Sequence, residues 1–223
     1  MANRELILLD VETQRDFFVP GGACYTSSAD DIRANVYSLI EWAKQAKCPV
    51  LSTVLRFGAH QVGPMADVPH CVEDTAGEKK LAKTVLRSHI DMGMRNTTDL
   101  PGDLLGSYQQ VIFEKRDVDI FQHDRAERLL TELPETTFVI CGAGISSGIV
   151  SAAIGLRARG FPVVLATDAS LAIDLVRSPM AYRRMHAKGV LFVRTHDIIA
   201  PPQKPDNLAR FRSAKQVDVE TLV

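Results

Sequence analysis

Short apolar runs recur along this chain, and amphipathic stretches lie between them. The first run, Glu5–Leu9, ends in Asp10-Val11-Glu12-Thr13-Gln14 and predicts a buried parallel strand. Ala29–Ala46 places Ile32, Val36, Leu39, Ile40 and Ala43 on one stripe and predicts a long amphipathic helix. Pro49–Val54, Gln110–Glu114, Phe138–Cys141, Pro162–Thr167 and Val190–Val193 predict five more strands. Asp124–Leu133 and Pro179–Ala187 read as helices, the second with proline in its first turn and a stop at Gly189. From Leu55 to Gly106 no period holds, and a connection of that length is usually functional.

Phe138 to Gly160 is the most informative stretch. A buried strand runs into a Gly/Ser turn at Gly142–Gly148, then a helix reaches Arg159 and Gly160 stops it. Pro162–Thr167 follows at once, so the stretch is a βαβ crossover with its turn at the carboxyl edge of the sheet. Gly144 and Ile145 would bring backbone N–H groups close to a ligand there. The plainer reading is a tight turn with Ser146 or Ser147 as the helix N-cap.

Six strands alternating with helices predict an α/β fold, a doubly wound six-stranded parallel sheet with helices on both faces. Residues 1–200 read as one domain, and 201–223, polar and holding three prolines, as a tail or oligomer arm. The polar clusters follow strands. Asp10 and Glu12 follow the first, Lys115 the third and the Gly/Ser turn the fourth, so all should converge on one crevice. If the first strand continues, Asp10 and Glu12 share a face.

Composition narrows the function classes. The net charge of −1 gives no reason to expect nucleic acid or an anionic membrane as partner. No apolar run approaches a membrane span, and the N-terminus lacks the form of a signal peptide. Cys24, Cys48, Cys71 and Cys141 show no metal-type spacing, which suits free thiols in a reducing cytoplasm. The expected partner is a small molecule, and no cofactor is called for.

Several motifs now fall into an order that resembles the isochorismatase-like hydrolases, the superfamily of nicotinamidases, other small amidases and isochorismatases. Thr13-Gln14-Arg15-Asp16-Phe17-Phe18 with Pro20-Gly21-Gly22 is similar to its opening motif. Pro69-His70-Cys71 with Thr75-Ala76-Gly77 is similar to its middle segment. Glu114-Lys115 with Asp119-Ile120-Phe121 resembles its lysine motif, and Gly142 to Gly160 with Asp168-Ala169 its nucleophile turn. The resemblance covers nearly the whole chain, is closest to the nicotinamidase-related group, and implies a Rossmann-like sheet in a homo-oligomer.

Active members, as the resemblance implies, use an Asp-Lys-Cys triad. The thiolate attacks an amide carbonyl, the aspartate moves the proton, and turn N–H groups beside a non-proline cis peptide form the oxyanion hole. Carried over, the lysine is Lys115, the aspartate position holds Glu12 and the cysteine position holds Gly148. Gly148 cannot attack, and Cys141 lies in the strand before the turn, where a thiol should be buried and inert. Isochorismatases proper also have glycine there and hydrolyse an enol ether by protonating its vinyl carbon. Glu12 could be that acid, with Asp10 as a second candidate. Ser146 or Ser147 could serve as nucleophile if a base lies beside it.

Nicotinamidases also place an Asp-x-His metal motif after the second strand. Thr53-Val54-Leu55-Arg56-Phe57 stands there instead, and His60 with His70 alone makes a poor site, so no metal is expected. Phe17, Phe18 and Phe57 are candidates to line an aromatic pocket, with core packing as the alternative. Arg56, pointing into the crevice, would bind a small acid bidentately. Three functions therefore stay open: a Cys-independent hydrolase, a catalytically silent member that binds a ligand or protein, and a serine-dependent amidase.

Overall fold

The computed structural model describes residues 6–59, 68–201 and 207–222. Seven strands form one parallel sheet: β1 (Leu6–Val11), β2 (Val50–Leu55), β3 (His89–Asp91), β4 (Gln110–Lys115), β5 (Thr137–Ala143), β6 (Val163–Leu171) and β7 (Leu191–Val193). Their spatial order is β3-β4-β2-β1-β5-β6-β7. The sheet thus has one more strand than the apolar pattern predicts. The extra one, β3, is a three-residue edge strand with two exposed residues and a single apolar residue, Ile90. Such a piece buries too little to print a period on the sequence.

Both faces of β1 are buried, which explains its unbroken apolar run. Ile7, Leu9 and Val11 pack with Phe113, Phe138 and Ile140 toward the helices Asp124–Thr131, Val150–Ala158 and Ser178–Ala187. Leu6 and Leu8 pack with Val36, Leu39, Ile40 and Ala43 of the helix Ala29–Gln45 on the opposite face. Each buried Val, Leu or Ile of that stripe contributes roughly 1.5–3 kcal/mol of apolar transfer. Because β1 is central, the chain leaves it toward β2 on one side and returns as β5 on the other. The carboxyl ends of β1 and β5 therefore flank the point where the winding reverses, where open α/β sheets hold ligands.

The C-terminal segment packs against the domain. Where it is described, Phe211 of the helix Asn207–Ser213 is fully buried, and Val217 N–H donates to Phe192 O at 2.8 Å. It packs on its own chain along β7. Glu5 and His60 lie outside the described residues. No helix among the described residues is long and apolar enough to cross a membrane.

Candidate active site

The register at the end of β1 sets the geometry. Val11 pairs with Thr53 on β2 and with Gly142 on β5, and Glu12 stands one residue beyond. Glu12 then leaves the extended region, with φ 53°, while its N–H donates to Thr53 O at 3.0 Å. A left-handed glutamate costs of order 1 kcal/mol, and here the fixed flanking strands hold it there. The strand does not continue through Glu12, so Asp10 and Glu12 do not share a surface as the two-residue spacing predicts.

Glu12 instead turns its carboxylate between the turn after β5 and the end of β4. Lys115, at the end of β4, donates from Nζ to Glu12 Oε1 at 2.5 Å. Both side chains are almost wholly buried. The ammonium's other two hydrogens go to the carbonyls of Asp117 and Val118, each at 2.9 Å. All three donors of Lys115 are thereby used, which is what a buried ammonium requires. Among the described residues no donor reaches Glu12 Oε2.

The turn after β5 supplies the third side. Gly142 (φ 125°) passes so close to β1 that a methyl group on it would lie 1.9 Å from Val11 O, so only glycine fits. Gly144 (φ 83°) starts a π-helical turn, Ile145–Ile149, that leads into the helix Val150–Ala158. Gly148 faces Glu12: a methyl group there would lie 2.3 Å from Oε1, 2.8 Å from Cδ and 3.0 Å from Val11 Cγ1. The Glu12 carboxylate therefore occupies the space that any side chain at position 148 would need.

The serines do not cap the helix. Ser146 and Ser147 lie inside the π turn, and the cap position is Gly144. Ser147 Oγ donates to Gly144 O at 3.4 Å, and no carboxylate or amine meets either hydroxyl among the described residues. Ile145 is fully buried in the core, and the described residues hold no cis peptide bond.

Asp10 faces the other side of the sheet. Its Oδ2 accepts from Lys80 Nζ at 2.5 Å and from Ser52 Oγ at 3.0 Å, and its Oδ1 has no hydrogen-bond partner. Lys80 also reaches Thr13 Oγ1 at 2.5 Å, and Thr13 meets Thr84 at 3.0 Å. This is a second buried ion pair, separated from Glu12 by the sheet. No spacing rule could join Asp10 to Lys80; only the return of the long 55–106 connection beneath β1 brings them together.

The remaining candidates hold the frame. Gln14 braces β2, accepting from Leu55 N–H and donating to Leu55 O and Glu78 O, all at 2.7 Å. Asp16 accepts from Cys71 N–H at 2.6 Å and Ala23 N–H at 3.1 Å. Phe17, Phe18 and Phe57 form a buried cluster and so take the packing alternative. His70 is packed edge-on against Phe17 and Phe57, and its Nδ1 donates to Val68 O at 2.9 Å. Among the described residues no three His, Cys, Asp or Glu side chains assemble as a ligand set.

Arg56 does not present a free fork to a ligand. Its guanidinium pairs with Glu78 at 3.2 Å and Glu114 at 2.9 Å, both protein carboxylates. Burial, then the neighbouring Asp91, raises the Glu114 carboxyl above its ordinary range. Cys141 is fully buried, and burial followed by the Asp10 charge pushes its thiol well up, which makes it inert. Burial, then Glu12, likewise raises the Cys71 thiol.

Residues 6–197 match the isochorismatase domain family. No curated protein matches the chain. Among solved structures, it is similar to nicotinamidase/pyrazinamidase from Bacillus subtilis, at 17% identity and TM-score 0.66, over 84% of this chain and 98% of that one. It is also similar to N-carbamoylsarcosine amidase from Thermoplasma acidophilum, at 15% identity and TM-score 0.62, over 86% and 96%. A third, MAR1 ribonuclease from Caenorhabditis elegans, reaches 13% identity and TM-score 0.60, over 100% and 91%. At these identities the likeness establishes the fold, and one fold serves several chemistries.

Proposed function

Because this chain belongs to the isochorismatase family, we propose that it is a hydrolase of a small molecule that works without a cysteine nucleophile. Glu12 is the acid/base. The observation that carries this reading is the contact between Gly148 and Glu12: a methyl group at 148 would fall 2.3 Å from the carboxylate. Position 148, where the family resemblance puts the nucleophile, can hold no side chain while Glu12 stays where it is. The larger carboxylate and the missing thiol are one paired change. It keeps the buried acid–lysine pair, at 2.5 Å, and gives up the nucleophile.

The chemistry follows from the two oxygens. Oε1 stays on Lys115, and Oε2, which meets no donor among the described residues, carries the mobile proton in this reading. Protonated Oε2 would deliver that proton to the vinyl carbon of an enol ether. Water then adds to the oxocarbenium carbon, the carbon–oxygen bond of the resulting hemiketal breaks, and a proton from the added water restores the acid. Self-association belongs to the same reading, since Leu175, Val176 and Met180 are 75%, 89% and 59% exposed within six residues.

The test is hydrolysis by the purified protein of isochorismate, nicotinamide, short amides and N-carbamoyl acids, with Lys115→Ala in parallel. Turnover of isochorismate but not the amides, lost in the variant, supports the proposal. Turnover of amides alone overturns it. A second reading, a silent ligand-binding member, is favoured by the closed Glu12–Lys115 pair, whose ammonium already has three acceptors. No turnover of any compound, with Lys115→Ala indistinguishable from wild type, would select it.

A further inference from the structure

Glu12 leaves β1 in the left-handed region, at φ 53°, and the chain is held on both sides of it. Before it, Val11 is in register with Thr53 and Gly142. After it, Gln14 N–H donates back to Glu12 O at 2.7 Å, and residues 13–16 are stitched to residues 77–81 of the long connection. Leu81 N–H donates to Thr13 O at 2.9 Å, Arg15 N–H to Lys79 O at 2.9 Å and Asp16 N–H to Gly77 O at 3.0 Å. Gln14 and Lys80 bridge at the middle of this seam.

Lys80 ties the seam to the strand. Asp10 alternates onto the face of Leu6 and Leu8, whereas Lys115 alternates onto that of Val111 and Phe113. On the Asp10 side the Lys80 ammonium donates to Asp10 Oδ2 and to Thr13 Oγ1, each at 2.5 Å. Asp10 stands two residues before Glu12 and Thr13 one after it, so a single buried cation spans the left-handed residue. Ser52 Oγ, 3.0 Å from Asp10 Oδ2, and Thr84 Oγ1, 3.0 Å from Thr13 Oγ1, fix the two ends.

As a source of stability the pair is poorly built. Both members are buried, and among the described residues Asp10 Oδ1 has no hydrogen-bond partner. Buried ion pairs exchanged for apolar groups of similar volume commonly lose no stability. As a clamp the same pair has what is needed, a short rigid link across the one backbone turn that aims Glu12. The Glu12 side chain leaves little slack, since Oε1 is held by Lys115 and packed against Gly148. We propose that Lys80 and Asp10 are positioning residues: they set the turn at Glu12, and through it the place of its carboxylate against Lys115 and Gly148. Their part in catalysis rests on Glu12 being the acid/base; their hold on its position does not.

The test compares two variants of the full chain. Asp10→Val/Lys80→Met replaces the pair by apolar groups. Thr13→Val keeps the pair and removes its grip beside Glu12, and it carries the test if the double variant does not fold. Each is made with and without Gly148→Ala and unfolded in urea. With the clamp intact Glu12 cannot yield to a methyl group at 148; without it Glu12 can. Gly148→Ala should therefore raise the unfolding constant roughly five- to tenfold less in either variant than in the wild type. Isochorismate turnover gives the second readout: kcat should fall roughly a hundredfold at unchanged KM, the cost of misplacing a reacting group by about 1 Å. A smaller Gly148→Ala effect in the variants, with no turnover by the wild type, would uphold the clamp and reject Glu12 as the acid/base. An equal Gly148→Ala effect in all backgrounds, or a wild-type kcat in both variants, overturns the proposal.

Discussion

Gly148→Ala is the most informative single change in this protein. The added methyl group would lie 2.3 Å from Glu12 Oε1, whereas ordinary contact begins at 3.4 Å, so the carboxylate must retreat by about 1 Å. Its bond to Lys115 is 2.5 Å long, and a retreat of that size away from the ammonium would stretch it to about 3.5 Å, the limit of a hydrogen bond. Overpacking alone costs about 1–3 kcal/mol. Leaving a buried ammonium with a displaced partner adds toward the roughly 3–5 kcal/mol seen when buried pairs are broken. Against this stands a gain of about 0.5–1 kcal/mol for replacing a helical glycine with alanine. The net expectation is destabilisation of about 1–4 kcal/mol, read by urea unfolding. Glu12→Asp shortens the side chain by one methylene and makes room. In Glu12→Asp/Gly148→Ala the two costs should therefore not add; the double variant should be more stable than the sum by roughly 1–3 kcal/mol. Additive effects, or a Gly148→Ala protein as stable as wild type, would show that the glycine and the glutamate are not a matched pair.

Other consequences can be checked separately. Lys115→Met should cost about 3–5 kcal/mol, because it leaves Glu12 and two carbonyls unpaired, while Lys115→Met/Glu12→Leu should recover most of it in the same unfolding assay. Lys80→Met should destabilise by a similar amount, about 3–5 kcal/mol, through Asp10, and Asp10→Val/Lys80→Met should return close to wild type. The raised Glu114 carboxyl holds its proton more tightly folded than unfolded. Stability should then fall as pH rises from the ordinary glutamate value, 4.5, through the raised one. Asp91→Asn should bring the Glu114 midpoint down in a carboxyl NMR titration and flatten that slope; an unmoved midpoint would contradict the assignment.

The large-scale layout was legible because buried parallel strands write long apolar runs. Six strands and their alternation with helices could be read directly, and β3 could not, since a three-residue exposed edge strand carries no period. The convergence of Glu12, Lys115 and the Gly/Ser turn was also legible, because each follows a strand and strand ends share one edge. Two kinds of information were hidden. One is backbone direction: a positive φ at Glu12 parts it from Asp10, and period-two reasoning cannot see it. The other is long-range pairing. Arg56 with Glu78 and Glu114, and Asp10 with Lys80, are set by how the 55–106 connection folds back. Reading Arg56 as a ligand clamp failed for that reason: the protein supplies its carboxylates itself.

The central claim is that Glu12, and no thiol or hydroxyl, moves the proton in hydrolysis. It is tested most directly by turnover of isochorismate in deuterated water by wild type and Glu12→Gln, with mass spectrometry of the released keto acid. One carbon-bound deuterium is expected at the former vinyl carbon in the wild-type product. Turnover should be lost in Glu12→Gln, and wild-type turnover should be unchanged after treatment with a thiol alkylator. Product formed by Glu12→Gln at the wild-type rate, or wild-type activity abolished by alkylation, would contradict it.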